Sequence, residues 1–103
     1  MTEKLDKIVE RYDFLTQEIS KPEVIANNGE WKKLVKEHSG LTPIVECYEQ
    51  YKKASKACED ASLLAETESD REMAELLKEE IAENKKAMAQ LEERLKTHIV
   101  GQD

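Results

Sequence analysis

A chain of 103 residues with a formal net charge of −7, 38% charged side chains and 5% aromatics is the size of one domain, with too few large rings for a thick globular core. Its basic residues alternate with acids instead of clustering, which excludes a phosphate-tracking nucleic-acid surface and a polybasic membrane patch. No apolar run approaches the roughly 20 residues needed to cross a bilayer, and the opening MTEKLDK lacks the apolar core of a signal peptide, so a cytoplasmic location is expected.

The first element is a helix over Glu3–Ile19, with Thr2 in position to cap it. Leu5, Ile8, Val9, Tyr12, Leu15 and Ile19 recur at steps of three and four and make one apolar stripe. Phe14 lies off that stripe. Ser20-Lys21-Pro22 ends the helix, because a residue before proline is pushed out of helical geometry. A brief helical turn over Pro22–Ile25 follows, and Asn27-Asn28-Gly29, which tolerate positive φ, break it.

The second long helix is expected over Glu30–Ala65. Trp31, Leu34, Val35, His38 and Leu41 open its stripe, and Leu34, His38, Leu41, Val45 and Tyr48 hold one register across Pro43. A loop has no reason to keep that phase. Pro43 is therefore read as a kink near residues 39–43 in a continuous helix, in preference to a new helix capped by Thr42. Thr67-Glu68-Ser69-Asp70 is the next turn, with Ser69 and Glu72 at capping-box spacing. The last helix spans Asp70–Thr97. Met73, Leu77, Ile81, Asn84, Met88, Leu91 and Leu95 form a heptad-like seam, on which a buried Asn84 would fix the register. His98–Asp103 reads as the start of a connection.

The short turn forces the two long helices antiparallel. The expected architecture is all-α: an elongated hairpin of two long antiparallel helices with a shorter N-terminal helix packed on it, in a single domain over residues 1–103.

Little here points to chemistry. His38 falls on an apolar stripe and reads as a packing residue. The glutamates Glu79, Glu80 and Glu83 read as a solvated helix face. Cys47 and Cys58, if on one helix, lie about 16 Å apart along its axis, beyond the roughly 7 Å a disulfide spans, so both are expected as free thiols. No phosphate loop, no metal-ligand spacing and no nucleophile–base pairing is present, so no cofactor or metal is expected. Among the five aromatics, Trp31, Tyr12 and Tyr48 sit on stripes and should be buried. Phe14 and Tyr51 are out of phase, which makes them candidates for partner contact. The hairpin turn, Glu66, Thr67, Glu68, Ser69, Asp70 and Arg71, is a further candidate because it is the far end of a long structure.

A run of words through the chain carries a resemblance. KLDKIVERYDFLTQEI (4–19), SKPEVI (20–25), WKKLVKEHSGL (31–41), PIVECYEQYKKA (43–54) and QLEERLK (90–96), in this order and spacing, resemble the N-terminal domain of the bacterial class I peptide chain release factors, the factor 1 branch more than factor 2. THIVGQD, at 97–103, departs from the family pattern and leaves the end of the domain open.

The resemblance implies a helical module of a translation termination factor and a piece of a longer protein. Its implied partners are the ribosome, at the protein region of the stalk base, and the GTPase release factor. Members of that family hydrolyse peptidyl-tRNA with a Gly-Gly-Gln motif. Here Gly101-Gln102 has no second Gly before it, so the expected role is not enzymatic. The resemblance and the charge together imply no direct nucleic-acid binding and no membrane partner. Self-association into a homodimer stays open, as does the alternative of a coiled-coil adaptor unrelated to the ribosome.

Overall fold

The computed structural model describes residues 2–100, with side chains described through His98. Four helices follow one another: α1 (Thr2–Glu18), α2 (Pro22–Ala26), α3 (Asn28–Thr67) and α4 (Arg71–Val100). There is no strand among the described residues. The fold is all-α, as the periodicity requires. The chain forms two compact units, one up to Glu46 and one from Cys47 on, with the boundary inside α3.

In the first unit α1 lies against the opening half of α3. Leu5 and Leu15 are fully buried, and Ile44 and Val45 of α3 are buried too. Polar tips hold the two helices in register. Trp31 donates from Nε1 to the carbonyl of Ile19 at 3.1 Å. The Tyr12 ring stacks on His38 with centroids 4.2 Å apart and planes 15° from parallel. Thr16 Oγ1 donates to the Tyr12 carbonyl and stands 2.9 Å from His38 Nε2. The threonine hydrogen is thus already used, so His38 must supply the proton of that contact. Partners run from 11 with 37 to 19 with 31, which is an antiparallel pairing.

His38 is the half-buried packing residue its stripe position implies. Trp31 and Tyr12 are half-buried, not buried as expected. The reason is that each must keep a polar tip in reach of a partner at the edge of a thin two-helix layer. Only Tyr48 is buried, at 4% exposure.

Helix α3 runs through Pro43 without interruption. Pro43, Ser39 and Gly40 all lie on the exposed face. The Ser39 carbonyl that proline leaves without an amide partner therefore faces water, and this lowers the penalty for a mid-helix proline. On the inner face Thr42 Oγ1 donates to the His38 carbonyl at 3.1 Å and lies 3.3 Å from the Tyr12 hydroxyl.

Three local expectations are corrected. No residue in the described chain uses positive φ, so Asn27-Asn28-Gly29 is not a left-handed break. Asn27 alone interrupts the helices, at φ −93° and ψ 84°, and its Oδ1 accepts from the Glu30 amide at 3.3 Å as the cap of α3, while Asn28 and Gly29 are already helical. Thr2 is itself the first helical residue of α1, so it is not the cap. Finally, α4 continues past Thr97 to Val100, which places His98 inside the helix and not at the start of a connection. The remainder of the expected connection, Gly101–Asp103, lies outside the described residues.

The second unit is a helical hairpin. Cys47 Sγ reaches the Leu91 carbonyl at 3.7 Å. Both residues are equally far from Ser69, so this contact sets the register of the two antiparallel strands of helix. The same register places Ala61 level with Leu77, and both are buried, at 3% and 6% exposure. The predicted seam is largely right: Leu77, Leu91 and Leu95 are buried, and Ile81, Asn84 and Met88 are half-buried. Met73 departs from it at 45% exposure: its level on α3 is that of Ala65, a small side chain one turn from the helix end that covers little of it. Asn84 is not the buried polar group expected. In this unit α3 offers small residues, Ala54, Ser55, Ala57, Cys58, Ala61 and Ala65, while α4 offers the large ones. Large-on-small packing lets two helix backbones approach closely.

Candidate partner-contact surface

Three polar side chains of the hairpin turn close the helices on either side of it. Thr67 Oγ1 donates to the Leu64 carbonyl at 3.5 Å in the last turn of α3. Glu68 Oε1 accepts from the Asp70 amide at 3.0 Å. Asp70 Oδ1 accepts from the Glu72 amide at 3.0 Å, and the Asp70 carbonyl receives the Ala74 amide. Asp70 is therefore the cap of α4, and the expected Ser69–Glu72 capping box does not form. A carboxylate at that position also meets the positive end of the helix dipole.

Of the six residues at 66–71, three are thus occupied in holding the turn. The side chains of Glu66, Ser69 and Arg71 are exposed and enter no hydrogen bond or ion pair among the described residues. Beside the turn, Arg71, Glu72, Glu75, Leu76 and Glu79 line a shallow concavity on α4. Sequence periodicity does not single out the apolar side chains of this end. Leu63, Leu64 and Leu76 are 58%, 59% and 58% exposed, and Met73 joins them. The signal was available: Leu76 sits beside the seam residue Leu77, and Leu63-Leu64 beside the seam residue Ala61.

The two aromatic candidates differ. Phe14, in the first unit, is 50% exposed, with the Arg11 guanidinium 5.4 Å from its ring centroid. That guanidinium is itself held by Glu37 through two bonds of 2.6 and 2.8 Å. The ion pair keeps the Glu37 carboxyl below the usual carboxylate range and lifts Arg11. Tyr51, in the second unit, is half-buried. Next to it Lys52 stands over the Tyr48 ring, 4.8 Å from its centroid.

Nothing in the described chain resembles a reaction centre. No group of three or more His, Cys, Asp or Glu is placed to hold a metal among the described residues. Both cysteines are free thiols. Burial pushes the Cys47 thiol up, against a smaller opposing pull from Arg94. No helix of the described chain is long and apolar enough to cross a membrane. What the surface offers is contact: a capped acidic turn, exposed leucines around it, and a separate exposed phenylalanine.

Residues 8–103 match the model of the PCRF domain. This chain belongs to the PCRF domain family. Its curated relatives are peptide chain release factors. It is 44% identical over 103 residues to peptide chain release factor 1 of Caldicellulosiruptor saccharolyticus, 39% over 103 to that of Agathobacter rectalis, and 41% over 104 to that of Alkaliphilus oremlandii. Each alignment covers 100% of this chain and 29% of the relative, so the PCRF chain spans less than a third of those proteins, at their N-terminal part. No solved structure matches it.

Proposed function

We propose that this PCRF chain is the non-catalytic N-terminal module of a cytoplasmic translation termination factor, a factor that directs stop-codon-dependent peptide release on the ribosome. In this reading the module supplies protein contacts, to the stalk-base region of the ribosome and to the GTPase release factor, while other domains of a longer protein read the codon and carry the Gly-Gly-Gln motif. The observation that carries the reading is the match to release factor 1 proteins over all of this chain's length. The acidic balance of −7 supports protein over RNA as the partner. The end of the helical hairpin, residues 66–71, is the proposed contact, with Phe14 and Tyr51 as the other candidates.

A pull-down of stalk-base protein with the chain tests this, repeated with residues 66–71 replaced by Gly and Ser. Capture by the parent and loss on replacement is the expected result. Undiminished capture moves the contact to the Phe14 region. Failure of the parent to engage ribosomal protein at all removes the reading.

A further inference from the structure

The hairpin end combines two properties that are rare together. From Asp60 to Glu80 there are eight acids against two bases, a net −6, so this short stretch holds nearly all of the chain's −7. Four of the described chain's exposed large apolar side chains, Leu63, Leu64, Met73 and Leu76, lie in the same stretch. In the register set by Cys47 and Leu91, Leu64 is level with Ala74, so Met73 and Leu76 lie within one turn of it. Helical periodicity places Leu64, Met73 and Leu76 on the same flank of the antiparallel pair, and Leu63 on the outer face of α3. Glu72, Glu75 and Glu79 border Leu76.

We infer that at this hairpin end the leucine flank beside the turn carries more of the docking than the turn's own side chains, and that its partner is a protein face with an apolar centre and a rim of lysine and arginine. The inference rests on the reading of the hairpin end as the contact region and names the side chains and the chemistry that would serve it. Charge decides the occupant. A second copy would bring a like net −6 against this one, and RNA or an anionic lipid surface would bring phosphate against glutamate. A basic protein face pairs with the rim and covers the leucines. The turn residues contribute less, because Thr67, Glu68 and Asp70 are already committed to helix ends.

The test uses purified bacterial large ribosomal subunits as the probe, with the chain and three variants of it. Leu64→Ser with Leu76→Ser should weaken binding by about tenfold or more, as loss of central apolar contacts does. These side chains are exposed, so the melting temperature should hold. Glu72→Gln with Glu79→Gln should weaken binding several-fold at low salt, an effect that fades towards about 1 M salt, where the Debye length is near 3 Å. Replacement of Glu66, Ser69 and Arg71 by Ala should have the smaller effect. Full binding by the double-serine variant overturns the inference while leaving the functional reading in place. Absence of binding by the parent overturns both. Retention of flank-dependent binding on protein-free ribosomal RNA, or a dimer in sedimentation that the serines abolish, overturns the assignment of the partner.

Discussion

Pro43→Ala is the sharpest test of how α3 is built. Proline in a helix interior removes one backbone bond and crowds the carbonyl four residues back, at a cost of about 3 kcal/mol relative to alanine. In α3 that carbonyl belongs to Ser39, which is exposed together with Pro43. Water therefore recovers part of the loss. Removing proline also frees the unfolded chain, which offsets the gain by up to about 1 kcal/mol. The net expectation is a stabilisation of about 2 kcal/mol, or a rise in Tm of roughly 10 °C for a chain of this size. Gly40→Ala provides the internal standard. A Cβ at Gly40 meets nothing within 4 Å, so the change should add about 1 kcal/mol by helix propensity alone. Thermal and urea melts of both variants decide the matter. A stabilising Gly40→Ala beside a neutral or destabilising Pro43→Ala would mean that proline starts a new helix, and the continuous α3 would be refuted.

Four further outcomes follow from the packing and the charges. Leu91→Asp places an unpaired charge on the buried hairpin seam and should cost several kcal/mol in a urea melt, whereas Gln90→Ala, on the exposed face, should stay within about 0.5 kcal/mol. Thiol titration with a maleimide should modify half-buried Cys58 well before Cys47, whose burial and raised pKa keep it a protonated thiol. Glu37 has a folded pKa held below its unfolded value, so its contribution is present above about pH 4.3 and is lost as pH falls through the lower folded value; Glu37→Gln should flatten the acid limb of the stability profile in that window. Asp70→Ala should cost about 1 kcal/mol by removing the α4 cap, and Ser69→Ala should cost little.

How legible the chain was in advance varies with the range of the signal. The stripe from Leu5 to Ile19 and the seam from Leu77 to Leu95 repeat over several turns, so chance phase is averaged out and the helices can be placed to within a few residues. Single-residue features have no such averaging. Ser69 and Asp70 are both good caps, and only the geometry of a turn in which Glu68 already accepts from the Asp70 amide selects the aspartate. Asn27-Asn28-Gly29 reads as a left-handed break by composition, yet one asparagine used as a cap suffices. The small-residue face of α3 was missed because a search for large apolar groups passes over alanine, although alanine opposite leucine packs as well as two medium side chains. The turn candidates rest on position in the hairpin and the aromatic ones on phase, and the leucines beside the turn become visible only when the buried seam is subtracted.

Stability alone does not account for the hairpin end. The C-terminus of a helix carries partial negative charge, and lysine or arginine there contributes about 0.3–1 kcal/mol. The last turn of α3 has no basic residue and instead holds Glu66, with Glu68 just beyond. Asp70 and Glu72 suit the positive end of α4, but Glu66 is set against the dipole of its own helix. The leucines make the same point from the apolar side. Leu63, Leu64 and Leu76 are more than half exposed, so they add little to the core, and polar helix formers would serve those positions with less risk of association. In the body of the hairpin the pattern is the reverse: large apolar side chains are covered, and exposed ion pairs such as Lys52–Glu49 and Lys96–Glu93 join opposite charges at helical spacing. Both kinds of departure from the folding rules meet at this end, where each is unfavourable for the isolated helices and each is favourable against a basic, apolar-centred protein face. That coincidence is the reason to look for the partner at the flank of the turn.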